Sequence, residues 1–214
     1  MLIGGSALAL RLNHRLSEDL DIVFLRETLP RSLDALPVEA LQKGLSFTAK
    51  DDPAALEEFT SGGLELRDFQ QDFVVDQRVK VSFFTADEAM VRILREPPAE
   101  SVRIGTLAEL FKSKALVSAK RSKSRDWLDL YLLIKNHGFT LRDYREAFRE
   151  AGIASQYEIG LSRLCSGVPQ RDDEGFSHLL QHSPTVEQMK VFFVQKREQF
   201  EVEVAAEERS RRPL

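Results

Sequence analysis

With 214 residues, 43% of them hydrophobic and 30% charged, the chain has the make-up of a soluble globular protein, with room for one large domain or two small ones. A net charge of −4 gives no global case for nucleic-acid binding, and one cysteine (Cys165) with four scattered histidines excludes an internal disulfide and a structural zinc site of the usual kind. No apolar run approaches membrane-spanning length and the start lacks a signal-peptide pattern, so the expected setting is cytoplasmic, with no membrane partner.

The first half reads as mixed α/β. Gly4-Gly5 leads into Ser6–Leu12, a helix-forming run opened by small residues. Leu20 to Leu25 is apolar and β-prone and predicts a buried strand, and Arg31 to Lys43 carries helical spacing in Leu33, Leu36, Ala40 and Leu41. Strand candidates follow at Leu45–Ala49, Gly63–Asp68, Asp72–Asp76 and Arg78–Phe84, the last two joined as a hairpin around Asp76-Gln77. Pro97-Pro98 marks a connection. Beyond it, Thr106–Arg121, Asp126–Asn136, Thr140–Ala151 and Thr185–Glu208 carry helical periodicity, with His137-Gly138 as a C-cap and Thr140 as an N-cap. The stretch from Gly167 to Pro184 reads as loop, and Arg209–Leu214 as a frayed tail. The expected fold is therefore α+β: a mixed-sheet domain over residues 1–105 and a helical domain over 106–214.

Chemistry concentrates first at the N-terminus. A glycine pair and a serine before a helix form a phosphate-binding arrangement, because glycines let backbone approach an anion and the free N–H groups of the helix start point at it. Gly5 and Ser6 are the candidates. Asp19 and Asp21, two apart at the start of an apolar strand, leave it on one face, while Leu20 and Ile22 turn to the core. Paired carboxylates beside a phosphate cradle suit magnesium, a hard cation that bridges protein oxygens to substrate phosphates. An isolated Asp-x-Asp is commonly no more than a solvated strand edge. The glycine-serine element, a helix-length spacer and the acid pair together are far more specific.

This arrangement resembles the signature of DNA polymerase β-like nucleotidyltransferases. The string GGSALALRLNHRLSEDLDIVF, Gly4 to Phe24, is more narrowly similar to the AbiEii/AbiGii toxin family, with His14-Arg15, Ser17 and Asp19-Leu20-Asp21 in place. The resemblance implies a nucleotidyltransferase-fold domain that moves a nucleoside monophosphate from an NTP to a hydroxyl acceptor with Mg2+ or Mn2+ on Asp19 and Asp21. It further implies the toxin of a toxin–antitoxin or phage-defence pair, with an antitoxin of AbiEi type and the 3′ end of transfer RNA as acceptor.

The family's second signature is met in SKALVSAKRSKSRDWLDLYLL, which supplies Lys114, Arg121, Arg125, Asp126 and Asp129-Leu130. By motif, Lys114 and Asp126 correspond to its active-site lysine and aspartate, so the helical domain is expected to complete the site. Lys114 is expected on the triphosphate, with Arg121 and Arg125 as further nucleotide contacts, and Asp126 either as a base or holding the lysine. The segment from Lys112 to Arg125 contains no acid and reads as a solvated helix face, a phosphate site or an RNA-facing patch.

Two departures stand out. On the strand Arg78–Phe84, Val79, Val81 and Phe83 are expected in the core, leaving Lys80 and Ser82 on the site face. Lys80 becomes a nucleotide-binding candidate, and Ser82 occupies the place of the superfamily's third acid. Only Met1-Leu2-Ile3 precede the glycines, where family members have a helix and a strand leading in, so a truncated start is expected. The serine and the short start together motivate an alternative, a nucleotide-binding regulatory module with weak or no transferase activity. A third reading, an aminoglycoside-modifying nucleotidyltransferase, is disfavoured by the basic second motif.

Overall fold

The computed structural model describes residues 1–96, 102–180 and 182–211. The Pro97-Pro98 connection lies outside the described residues, as do positions 212–214 of the expected frayed tail. The chain divides into two compact units, Met1–Leu110 and Phe111–Leu214, and the division falls inside one helix. A mixed sheet with flanking helices is followed by a helical region, the α+β class expected.

The first unit is built on a five-stranded sheet in the order β1-β2-β5-β4-β3. β1 (Leu2–Ile3) pairs antiparallel with β2 (Asp19–Phe24), and β2 runs parallel to β5 (Val79–Thr85). β5 is antiparallel to β4 (Gln70–Val75), which is antiparallel to β3 (Phe47–Ala49). Between β1 and β2 lies α1 (Gly4–Leu12). Alternation along the strands sends Phe73, Val81 and Phe83 into a core with Leu29 and Leu33, flanked by Leu20, Ile22 and Phe24. The opposite parity of β2 and β5 is Asp19, Asp21, Lys80 and Ser82, so burying one face fixes what the other presents.

The β4–β5 hairpin closes on Asp76-Gln77 as expected, with both residues left-handed (φ 47° and 56°) and Arg78 N–H donating to Val75 C=O at 2.9 Å. Positive φ at both central positions matches the right-handed twist of paired strands. Two other expectations are corrected. The single helix over Arg31–Lys43 is a 3-10 segment, Arg31–Ala35, then α2 (Leu36–Gln42), because Pro37 has no N–H to continue the ladder. Gly63–Asp68 is no strand: it holds a short 3-10 turn at Leu66–Asp68 with Leu66 buried. Two helices went unanticipated, α3 (Pro53–Ser61) and α4 (Glu88–Ile93), capped by Asp52 and Asp87 accepting from Ala54 and Met90 N–H.

A buried ion pair closes the first unit where α5 (Leu107–Lys120) begins. Glu109 takes both guanidinium nitrogens of Arg103 (2.8 and 2.7 Å) and the amides of Arg95 and Thr106 (2.8 Å each). Burial alone pushes its carboxyl up, but these donors outweigh burial and hold it at about 2, against an ordinary 4.5. Since the folded value is the lower one, the stabilisation is complete above about 4.5 and disappears as pH falls towards 2. Glu109→Gln is expected to be less stable than the parent at neutral pH, by about 3 kcal/mol at most. Urea titrations should show that gap closing between pH 5 and pH 2, and a pH-independent gap would refute the assignment.

The second unit packs the later turns of α5 with α6 (Ser124–Asn136), α7 (Leu141–Glu150), α8 (Tyr157–Ser166) and α9 (Val186–Arg211). Trp127, Leu130, Leu133, Tyr144, Phe148, Leu164, Met189 and Phe193 are almost wholly buried. Thr140 and Asp143 form a reciprocal capping box at the start of α7, as the predicted cap requires. α8 was not anticipated, and α9 stays helical through Arg209 and Ser210, where fraying had been expected. Among the described residues, no helix is long and apolar enough to cross a membrane.

Candidate active site

At the start of α1 the glycines are required by what lies against them. Gly4 is left-handed (φ +74°), and a Cβ there would collide with Asp21 Oδ2; a Cβ on Gly5 would collide with Arg15 Nη2 and press on Ser17 Oγ. Backbone is thus in direct apposition to a carboxylate and a guanidinium. Ser6 Oγ donates to the Asp19 carbonyl and lies 2.9 Å from Ser17 Oγ, tying the first turn of α1 to the entry of β2. Arg15, buried, donates to the Leu16 carbonyl at 2.8 Å. Arg15 and Ser17 entered the sequence reading only as parts of the motif. Their contacts make them members of the site, and their place between the glycines and the acids was the available signal.

Asp19 and Asp21 leave β2 on one face, and the register places Lys80 beside Asp19 and Ser82 beside Asp21 on β5. Ser82, where an acid was expected, is therefore the buried neighbour of Asp21 across the β2–β5 pairing. Lys80 Nζ pairs with Asp72 Oδ2 at 3.1 Å. The first unit thus gathers Gly5, Ser6, Asp19, Asp21 and Lys80 around one sheet face and one helix start. Two carboxylates are a fitting donor set for magnesium, which completes its shell with water and substrate phosphate. Among the described residues, no group of three or more His, Cys, Asp or Glu side chains is placed to hold a metal by itself.

The second unit brings Lys114, Arg121 and Asp126 together. Lys114 Nζ lies 2.6 Å from Asp126 Oδ1 and 2.8 Å from Asp129 Oδ2, with both aspartates fully buried. Arg121 forks onto Asp126, Nε to Oδ2 at 2.8 Å and Nη2 to Oδ1 at 3.3 Å. Burial alone lowers the lysine and raises the aspartate. The mutual attraction outweighs it, so Lys114 is shifted up and Asp126 down, and both stay charged. A carboxylate held this way makes a weak base and a strong tether, which favours the lysine-holding role for Asp126. Asp129 shares that role and was left out of the expected site residues; its three-residue offset from Asp126 put it on the same helix face.

Arg125 pairs with Glu174 (3.2 Å), as does Lys123 (3.4 Å), and Lys112 pairs with Glu150 (2.5 Å). Much of the basic segment is thus compensated inside its own unit. The turn between α5 and α6 is fastened by Asp173, which accepts from Ser124 N–H and Oγ–H, and by Gln170, bonded to Ser122. Burial pushes the half-buried Cys165 thiol up, away from any nucleophilic role.

No curated protein matches the chain. Residues 1–205 match the family described as "Nucleotidyl transferase AbiEii toxin, Type IV TA system", so the match takes in both charged clusters. The nucleotidyltransferase named by that family is an enzyme acting on a nucleotide substrate, and a type IV toxin–antitoxin system supplies an antitoxin partner. On the glycine-serine cradle, the paired aspartates, the buried lysine–aspartate cluster and this match, the chain belongs to the AbiEii nucleotidyl transferase toxin family.

Proposed function

We propose that this protein moves a nucleoside monophosphate from an NTP to a hydroxyl of RNA, the 3′ end of transfer RNA, as the toxin of a pair with an AbiEi-type antitoxin in phage defence. The observation that carries the reading is the Asp19–Asp21 pair set against the glycine-serine start of α1. Asp19 and Asp21 are the residues that would hold Mg2+ or Mn2+. That ion, when bound, neutralises charge on the triphosphate. The Gly5 backbone and, once its hydrogen bond to the Asp19 carbonyl is exchanged, the Ser6 hydroxyl orient phosphate oxygens, and Lys80 adds a point charge on the same sheet face. The acceptor hydroxyl attacks the α-phosphorus in line: the new P–O bond forms, the bond to pyrophosphate breaks, and the hydroxyl proton is released. Catalysis of this type is mainly positioning and charge neutralisation.

Lys114, held by Asp126, serves the same reaction in this reading, with Arg121 as a further charge on that cluster. Lys123 and Arg125 supply RNA contacts. Their partner Glu174 is largely exposed while the two cations are 14% and 21% exposed, so an RNA phosphate would reach them by displacing Glu174. The cytoplasm is the compartment that holds NTPs and transfer RNA together. Incubating the protein with Mg2+, each α-labelled NTP in turn and total cellular RNA tests the assignment. Label is expected in the transfer-RNA band and is released by 3′-exonuclease. Label appearing on protein or on other RNA classes alone rejects the acceptor, and label nowhere rejects transfer.

A further inference from the structure

The sheet face that presents Asp19 and Asp21 carries another carboxylate, one that the proposed chemistry leaves unused. Asp72 stands on β4 directly opposite Ser82, which on its other side is opposite Asp21, so the three side chains leave the same face on successive strands. Asp72 is only 5% exposed. Its Oδ2 meets Lys80 Nζ at 3.1 Å and Gln70 Nε2 at 3.2 Å, while Oδ1 is buried without any hydrogen-bond partner. A buried carboxylate with one oxygen unmet is a net cost to folding, and an apolar residue at this position would serve packing better.

What Asp72 does accomplish is visible in the direction of its ion pair. Lys80 is opposite Val74 on β4 and Asp19 on β2, so the contact to Asp72 is diagonal: it turns the lysine along the strand and toward β4, on the other side of β5 from Asp19 and Asp21. The Lys80 side chain stays 45% exposed, leaving its ammonium able to meet a second anion. A lysine loses rotamer freedom when fixed, and one fixed beforehand gives up less when ligand arrives. We propose that Asp72 is a positioning residue that fixes the Lys80 ammonium on the β4 side of the sheet face that also presents Asp19 and Asp21, where it receives the phosphates of a nucleoside triphosphate. This rests on the nucleotide-binding reading of that face and adds the residue that orders its lysine.

The test is a double-mutant cycle read by calorimetry, titrating Mg-ATP, Mg-GTP, Mg-CTP and Mg-UTP separately onto the full chain. Lys80→Met is expected to weaken the preferred Mg-NTP by about tenfold or more, the worth of a charge-assisted contact. Asp72→Asn, isosteric, is expected to weaken it several-fold, and the double variant to bind no worse than Lys80→Met alone. In transfer assays KM should rise with kcat little changed. Unaltered affinity in Asp72→Asn, losses that multiply in the double variant, or a fall in kcat at constant affinity would each overturn the positioning role. If Asp72→Asn does not fold, Lys80→Met, at a half-exposed side chain, still decides: unchanged affinity overturns the proposal. Parent protein that binds no Mg-NTP removes the nucleotide reading itself and this inference with it, whereas normal parent binding with an indifferent Asp72→Asn removes the inference alone.

Discussion

Lys114→Met is expected to lower the unfolding free energy by about 3–5 kcal/mol, a large share of the margin of a domain this size. The lysine is the charge that lies between two fully buried carboxylates, at 2.6 Å from Asp126 and 2.8 Å from Asp129. Its removal leaves Asp126 with Arg121, whose own side chain is 43% exposed, and takes from Asp129 the buried ammonium at 2.8 Å. Methionine matches the length of the lysine stem, so the loss reads the charge and not a cavity. Removing charge from the other side makes the control: Lys114→Met combined with Asp126→Asn and Asp129→Asn should recover part of the stability, because the uncompensated carboxylates are then gone. Urea unfolding followed by circular dichroism gives both values. A loss below about 1 kcal/mol for Lys114→Met would mean that water reaches the cluster and that its burial is not what keeps these charges together.

That cluster also marks where sequence reasoning stopped. An offset of seven from Lys114 to Arg121, and of three from Asp126 to Asp129, puts each pair on one helix face. Nothing in the spacing says which lysine faces which aspartate, or that Lys114 is shared by two. Elements with one buried stripe were legible: α6 and α7 through Trp127, Leu130, Tyr144 and Phe148, and β2 and β5 through the alternation of Leu20, Ile22, Val81 and Phe83 against Asp19, Asp21, Lys80 and Ser82. α3 had no such stripe, since none of its residues is buried, and only the Asp52-Pro53 start announced it. Gly63–Asp68 looked like a strand on composition, yet a strand needs a partner and Leu66 alone goes inward. Asp72 was assigned to a strand without a role, because its relation to Ser82 and Asp21 exists only in the register of three strands.

The aspartate pair itself carries the largest functional effect. Asp19→Asn with Asp21→Asn is expected to lower nucleotide transfer by about a thousandfold or more, since in the proposed mechanism each substitution removes a carboxylate charge that would hold the metal. Asparagine keeps the shape of each side chain, so the packing of residue 21 against Gly4 survives and the far-UV spectrum should be unchanged. EDTA should abolish transfer by the parent protein, and added Mg2+ or Mn2+ should restore it. The restored activity reports the ion, and the double variant reports the side chains that would hold it. If chelation stops the reaction while the double variant retains activity within tenfold of the parent, the ion sits elsewhere, and Asp19 and Asp21 lose their role. If neither treatment has an effect, phosphate charge is being met by the protein's own cations alone. Lys80 on the same face would then have to carry that neutralisation in the first unit. Asp19 and Asp21, two apart on one strand face, would in that case act through the protein's own groups and not through an ion.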